Sequence, residues 1–434
     1  MNSRLTPLSE LIEVISMGPF GSDIKVDNFV DNGVPVLNGS NLSGIKLTED
    51  QFKYVTPEKA KSFKKAIAQR GDIVITHRGT LGQISYIPED SKFENYVISQ
   101  SQFRVRFKQD LVDPAYLVYY FHTNEGQKRL LANKCHVGVP ALAQATTNFR
   151  LIQIPLPSLN IQLKIASVLS TLDSKIELNN HINNELETMA KTLYDYWFVQ
   201  FDFPNANSRP YKTSGGNMVW NKDLKREIPE AWQVGDLGSI INIFDSKRIP
   251  LSNMQREKMQ GKYPYHGATG IMDYINDFIF DGEYILLAED GSVMDEKGFP
   301  IVQYIWGKTW VNNHAHVLRP KDKSNNDYLF YLLKSISVVQ IMTGSIQKKI
   351  NQDNLVNVKV AFPNELILKQ FSDFALPIRK RRINNIEQNQ QLSSLRDWLL
   401  PMLMNGQVKV GGSTEDKASY NIEGEMRMVA EPGT

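Results

Sequence analysis

Cysteine is almost absent: Cys135 is the single one in 434 residues. That excludes an internal disulfide framework and suits a reducing compartment. Long apolar runs are missing as well, and nothing approaches the roughly 20 apolar residues of a membrane span. The first residues, MNSRLTPLSELIEV, carry no basic start followed by an apolar run, so no signal peptide is read there and a cytoplasmic location is expected. Net charge is small: 49 Lys and Arg against 47 Asp and Glu leave +2. A histone-like polycation is excluded; a reader of nucleic acid with its basic groups on one face is not. Catalytic motifs are lacking too. There is no Asn/Asp-Pro-Pro-aromatic tetrad of a methyltransferase. Gly307–Lys308–Thr309 has the tail of a phosphate loop, but Val302 stands where the first glycine belongs. Asp290, Asp295 and Lys297 mimic nuclease spacing only loosely, and His314-x-His316 has no third ligand at a diagnostic spacing. Cys135 and His136, as sequence neighbours, make a poor nucleophile pair. No catalytic, cofactor-binding or metal-binding residue is assigned.

What the chain does have is a long uninterrupted helix pattern. From Ser158 to Phe198 there is no Pro or Gly, and Ile165, Leu172, Asn179, Leu186 and Leu193 fall on a seven-residue period. This predicts a helix of roughly 60 Å with one apolar seam, which needs a partner helix to cover it. Adding 206 to each of those positions lands on Phe371, Ile378, Asn385, Leu392 and Leu399. The apolar slots stay apolar and the polar slot is Asn both times. The same offset carries Gly138 to Gly344, Asn148 to Asn354 and Pro157 to Pro363. The chain is therefore an internal duplication: a globular unit followed by a long helix, twice. A polar Asn in an apolar seam costs stability and fixes register, so Asn179 and Asn385 are expected near each other across antiparallel helices.

Taken in order, residues 1–157 read as a mixed α/β unit. Gly71 to Ile87 is strand, polar loop around Arg78–Gly79–Thr80, and strand; Phe103 to Phe107 alternates as a half-buried strand. Asp113 to Ala132 reads as one helix capped by Asp113 with Pro114 in its first turn, and Phe149 to Pro157 as a short strand. The first long helix occupies 158–200. A Pro-, Gly- and Asn-rich connector, 201–232, is expected to pack through Trp220 and Trp232. The second unit, 233–363, again holds strand, polar loop and strand, with Gly291–Ser292 matching Gly79–Thr80. Its helix at Asn326–Ile336 matches the one beginning at Asp113. The second long helix takes 364–406, with a kink expected at Pro377 and its end near Pro401. The last stretch, 407–434, is polar and aperiodic and reads as a disordered tail.

These features resemble the specificity subunit of a Type I restriction–modification enzyme. The resemblance is carried by LYDYWFVQFDFP closing the first helix, LRDWLLPMLMNGQV closing the second, the connector YKTSGGNMVWNKDLKREIPEAW, and YPYHGATGIMDYINDFIFDGEYILLAEDGS in the second unit. It implies an α+β fold of two similar mixed α/β target-recognition domains joined by a pair of long antiparallel coiled-coil helices, a pseudo-twofold internal repeat. It also implies a non-catalytic subunit that reads a bipartite, asymmetric double-stranded DNA target and docks two methyltransferase subunits, with motor–nuclease subunits completing the complex. S-adenosylmethionine, ATP and Mg2+ are then expected on those partners, and none on this chain.

Base readout uses Arg or Lys toward guanine, Asn or Gln toward adenine, and Ser or Thr toward either; phosphates take Lys, Arg and hydroxyls. The candidates are Lys25, Asn38, Asn41, His77, Arg78, Thr80 and Lys134 in the first unit. In the second they are Lys247, Arg248, His266, Ser292, His314, Lys348 and Lys349. Each is also what an ordinary solvated loop contains. Glu289 and Asp290 would repel phosphate; a cytosine amino group or a loop cap suits them better. Arg379 to Arg382 is a basic run fit for phosphate, a partner or solvent. Two other functions compete with a DNA reader. A self-contained nuclease or methyltransferase would turn over alone, and a pure coiled-coil scaffold would assemble without sequence-dependent DNA binding.

Overall fold

The computed structural model describes residues 5–19, 23–135, 138–322, 325–338, 342 and 348–410. His136, Gly344 and the tail from 411 onward lie outside the described residues. The chain divides into two compact units, one joining residues 1–177 with 388–434, the other spanning 178–387. Each unit thus takes one globular domain and a portion of both long helices.

In the first unit the core lies between a four-stranded sheet and the helix Pro114–His122. Strand order is Ile12–Met17, Gln102–Phe107, Ile73–Thr76, Ile84–Tyr86, all neighbours antiparallel. The alternation around Phe103 explains its orientation: Phe103, Val105 and Phe107 enter the core, while Arg104 and Arg106 reach the buried Asp72 at 3.1 and 2.7 Å. Asp113 caps the helix, its carboxylate accepting the Tyr116 N–H at 2.7 Å. The helix does not run on to Ala132. Thr123 adopts extended backbone and its hydroxyl caps a second helix, Asn124–Leu130, because a Thr side chain satisfies an orphan N–H better than a helix interior would. Phe149 lies within a helix, Ala145–Leu151, and only Gln153–Pro155 is strand. A second sheet of five short strands packs its own smaller core around Leu37, Val74 and Tyr96.

The second unit repeats this plan. Its four-stranded sheet runs Ile241–Ile243, Ala315–Pro320, Tyr284–Ala288, Val302–Ile305, the same order with the equivalent strands. Helix Asn326–Ser335 stands where Pro114–His122 stands in the first unit. The connector adds an antiparallel hairpin, Met218–Asn221 with Arg226–Pro229. Trp232 is buried against Phe198, Phe201 and Phe203, but Trp220 stays 64% exposed, so only one of the two tryptophans anchors the connector.

The long helices span Leu159–Tyr194, extended by a π-helical turn Asp195–Val199, and Glu365–Met404. The second passes through Pro377 without interruption. Proline removes one N–H, but the buried Ala375 and Ile378 on either side hold the segment in helix. The helix ends at Met404, within one turn of Pro401 as expected. Residues 407–410 belong to the fold, with Val408 and Val410 packed on the first unit's core.

Within each unit the helix portions are antiparallel. In the first, Arg396 Nη1 donates to Asp173 Oδ1 at 2.8 Å and Asn389 Nδ2 to the Ile176 carbonyl at 3.4 Å. In the second, Asn183 Nδ2 donates to the Arg382 carbonyl at 3.4 Å and Arg382 pairs with Glu187. Ile165, Asn179, Phe371, Ile378 and Asn385 are buried; Leu172, Leu186, Leu193, Leu392 and Leu399 are half-buried. The amide of Asn385, wholly buried, donates to Asn183 Oδ1 at 2.9 Å, so the described partner of Asn385 is Asn183, one turn beyond the expected Asn179. The duplication covers this detail: Asn183 corresponds to Asn389, and Ile176 to Arg382, so the same amide-to-carbonyl contact occurs in both units. Asn385→Leu alone should lower thermal stability by about 1–3 kcal/mol by stranding the Asn183 carbonyl. Replacing both Asn183 and Asn385 with Leu should recover or exceed the wild-type melting temperature, measured in the same calorimetric series.

Candidate nucleic-acid interface

In the first unit the loop after strand Ile73–Thr76 is fixed through its backbone. His77 N donates to the Ser101 carbonyl, Gly79 N to the Pro140 carbonyl, and Leu142 N to the His77 carbonyl. Arg78 bridges Ala141, and Ala141–Leu142 pairs with Lys134–Cys135. This small ladder gathers Arg78, Thr80 and Lys134, all exposed, at one sheet edge. Gly79 turns the chain at φ +94°, a conformation that disfavours a side chain. His77 supports the loop rather than projecting from it. Its Nε2 lies 3.1 Å from the Gln100 carbonyl, and burial pushes its pKa below the ordinary histidine value, which favours the neutral ring.

The second unit builds the equivalent loop on the equivalent strand. Asp290 bridges Lys349 as Arg78 bridges Ala141, and Gly291 turns at φ +73°. Ser292, His314 and Lys348 are exposed around it, and His314 Nδ1 lies 2.6 Å from Asp290 Oδ1. Beneath the loop is a closed ion network. Glu289 takes Arg248 at 2.6 Å and Lys349 at 3.0 Å. Asp245 accepts the Val317 N–H at 2.9 Å and faces His316 Nδ1 at 2.6 Å, while His316 Nε2 meets the Ile350 carbonyl at 2.8 Å. Burial opposes the charge on Glu289, but Arg248 and Lys349 outweigh it and hold its carboxyl below the usual range. Asp245, Glu289 and His316 converge within 4.8 Å, as metal ligands would. The Arg248 guanidinium and the Lys349 ammonium already supply the positive charge there, so the cluster braces the loop.

Several sequence candidates have structural duties instead. Asn41 is fully buried and its amide donates to the Thr48 and Asp50 carbonyls at 3.0 Å each, holding a loop closed. Arg248 is spent on Glu289, Asp245 and the Ala315 carbonyl. His266 is buried, and that burial drops its pKa to about 4, so it carries no charge for phosphate. Asn38 is exposed, but its Oδ1 caps the Ser40 N–H at 2.8 Å. Lys25 and Lys247 are exposed outside the two loops, the latter over the Phe244 ring at 5.5 Å. In the basic run, Arg379 pairs with Glu283 and Asp327, Arg382 with Glu187, and Lys380 and Arg381 face outward. Sequence reasoning missed Asp245 as the hub beneath the loop and the strand Ala141–Leu142 that carries Lys134 to Arg78. Neither has a local signature.

Glu289→Gln should destabilise the protein by roughly 1–3 kcal/mol at neutral pH. The Glu289 carboxyl titrates lower in the fold than in the unfolded chain, so its contribution is full above the unfolded value and lost as pH falls through the folded one. Denaturant melts of the two proteins should therefore converge as pH falls through the lowered folded-state value of Glu289.

A family model described as Type I restriction modification DNA specificity domain matches residues 7–188 and again 229–388. The Type I restriction enzyme MjaIX specificity subunit of Methanocaldococcus jannaschii is 26% identical over 375 residues, covering 82% of this chain and 82% of that protein. The HindI specificity subunit of Haemophilus influenzae is 21% identical over 413 residues, covering 80% and 88%. The crystal structure of a Type I restriction-modification system S subunit from M. genitalium shares the fold, with a TM-score of 0.56 at 16% identity over 93% of this chain and 96% of that one. With both halves matched and the repeated sheet, loop and helix in each, the chain belongs to the Type I restriction–modification specificity subunits.

Proposed function

We propose that the chain recognises a split, asymmetric double-stranded DNA sequence, one half per unit, docks two methyltransferase subunits, and performs no chemistry of its own. The observation that carries this reading is the repeated loop. Both units hang a glycine-turned loop from the same strand of the same sheet and fix it with the same isolated bridge. The scaffold is duplicated while the presented groups differ: Arg78, Thr80 and Lys134 in one unit, Asp290, Ser292, His314 and Lys348 in the other. A common scaffold with divergent loop chemistry is what two readers of unlike half-sites require. Motor–nuclease subunits would join the full assembly. S-adenosylmethionine, ATP and Mg2+ would reside on the partner subunits. Exposed apolar side chains on the helices, among them Leu366, Phe374, Leu395 and Trp398, support a protein-docking role.

The test is reconstitution. With its methyltransferase subunit the chain should methylate one bipartite sequence, and replacing residues 233–363 by those of a relative should change one half of it. A change in both halves, or in neither, would sink the modular reading. Arg78→Ala and Lys134→Ala should separate two roles. Removing a phosphate contact lowers the salt slope of binding by about one and weakens all sequences alike, whereas removing a base contact relaxes one position at about 1–3 kcal/mol. Binding isotherms across a salt series on cognate and single-mismatch duplexes distinguish the two.

A further inference from the structure

Among the described residues, the ion pairs Arg396–Asp173 and Arg382–Glu187 cross between the long helices with the same polarity. The first helix supplies both acids, Asp173 and Glu187; the second supplies both bases, Arg396 and Arg382. The two pairs obey one antiparallel register, fourteen residues forward on the first helix and fourteen back on the second. Both are partly buried, with side-chain exposures of 29% and 16% for Arg396–Asp173 and 25% and 24% for Arg382–Glu187. Lys334 adds a second cation to Glu187 at 2.5 Å.

The repeat allows this to be set against the alternative pairings, because each helix has the other's counterpart residues at an offset of 206. A first helix paired in the same register with the first helix of another copy would put Asp173 against Ala190 and Glu187 against Ile176. Both carboxylates would then be partly buried with no guanidinium beside them. Two second helices would put Arg396 against Arg379, whose own carboxylate partners Glu283 and Asp327 remain with it, and Arg382 against Ser393, so neither Arg396 nor Arg382 would meet a carboxylate across the pair. The asparagines behave differently. The Asn385–Asn183 contact becomes Asn179–Asn183 or Asn385–Asn389, so an amide pair survives in every combination. Asparagine identity cannot distinguish the partners; charge can.

We propose that the acidic face of the first helix and the basic face of the second select each other, so that each half of the chain pairs with the unlike half and not with its own kind in another copy. The asparagines set register and the ion pairs set partner. Unlike halves bring unlike recognition domains together, whereas like pairing would produce a symmetric particle with two identical readers. The pairing claim itself does not depend on what the loops bind.

The test uses the whole chain, cut after folding at a protease site inserted into the exposed stretch 206–209. Cut protein is held in sub-denaturing urea until fragments exchange, and native mass spectrometry counts unlike and like pairs. The wild type should give unlike pairs almost alone. Asp173→Asn with Glu187→Gln should raise like pairs about tenfold or more, the size expected for two partly buried ion pairs. Asn183→Ala with Asn385→Ala should lower stability yet leave partner choice unchanged. A statistical mixture from the wild type, or no rise in like pairs with the neutralised acids, would overturn the proposal. Should the neutralised protein unfold when cut, Glu187→Arg followed by Arg382→Glu decides the matter. The first should raise like pairs and the second should bring unlike pairs back; failure to restore them also overturns it.

Discussion

Neither long helix can bury its seam by itself, and this constraint shapes the rest of the molecule. A single amphipathic helix of 36 or 40 residues would expose an apolar stripe along its length. Here the stripe is covered by the other helix and, toward the ends, by the globular cores. Ile165, Ala166 and Leu169 enter the first unit's core together with Leu400, Leu403 and Met404 from the far end of the chain. Ala190, Tyr194, Trp197 and Phe198 enter the second unit's core beside Ile367, Leu368 and Phe371. Each core is therefore completed by side chains from both helices, which lie far apart in sequence.

The junctions between domain and helix are built from different chemistry in the two units. In the first, Tyr119 donates to Asp173 at 2.5 Å, and Asp173 also takes Arg396. The position equivalent to Asp173 in the second unit is Arg379, which pairs with Asp327 and Glu283 and lies over the Tyr304 ring. The charge at this one position is reversed, but the partners are not equivalent: Arg396 corresponds to Ala190 and Asp327 to Ala115. Each unit therefore acquired its own ion pair after duplication while packing held the apolar positions. The loops diverged further, because a backbone ladder holds them in place whatever their exposed side chains are.

Much of this architecture is legible in the sequence. The offset of 206 makes the duplication, the partner helix and the buried asparagine visible, because an apolar seam must be repeated wherever a long helix is repeated. Asn183 and Asn389 obey the same offset but escape notice, since they lie beside the seven-residue column and not on it. The loops around Arg78 and Asp290 stand out by their strand–glycine–strand pattern. The roles of individual side chains do not. Asn41, Arg248 and His266 look like DNA ligands among other polar loop residues. Their fates depend on partners elsewhere: Arg248 on Glu289, His266 on the walls that bury it, Asn41 on two carbonyls across its own loop. Residue type reports what a side chain can do, and only the fold reports which way it points.

The dependence of each unit on both helices is the central claim. Hydrogen exchange on a chain ending at Glu387 tests it most directly, because that truncation removes Leu400, Leu403 and Met404 while sparing every residue of the second unit. Amide protection should fall in the strands Gln102–Phe107 and Ile73–Thr76 and in the helix Pro114–His122, and persist in the strands Tyr284–Ala288 and Ala315–Pro320. Undiminished protection in the first unit, or equal loss in both, would contradict it.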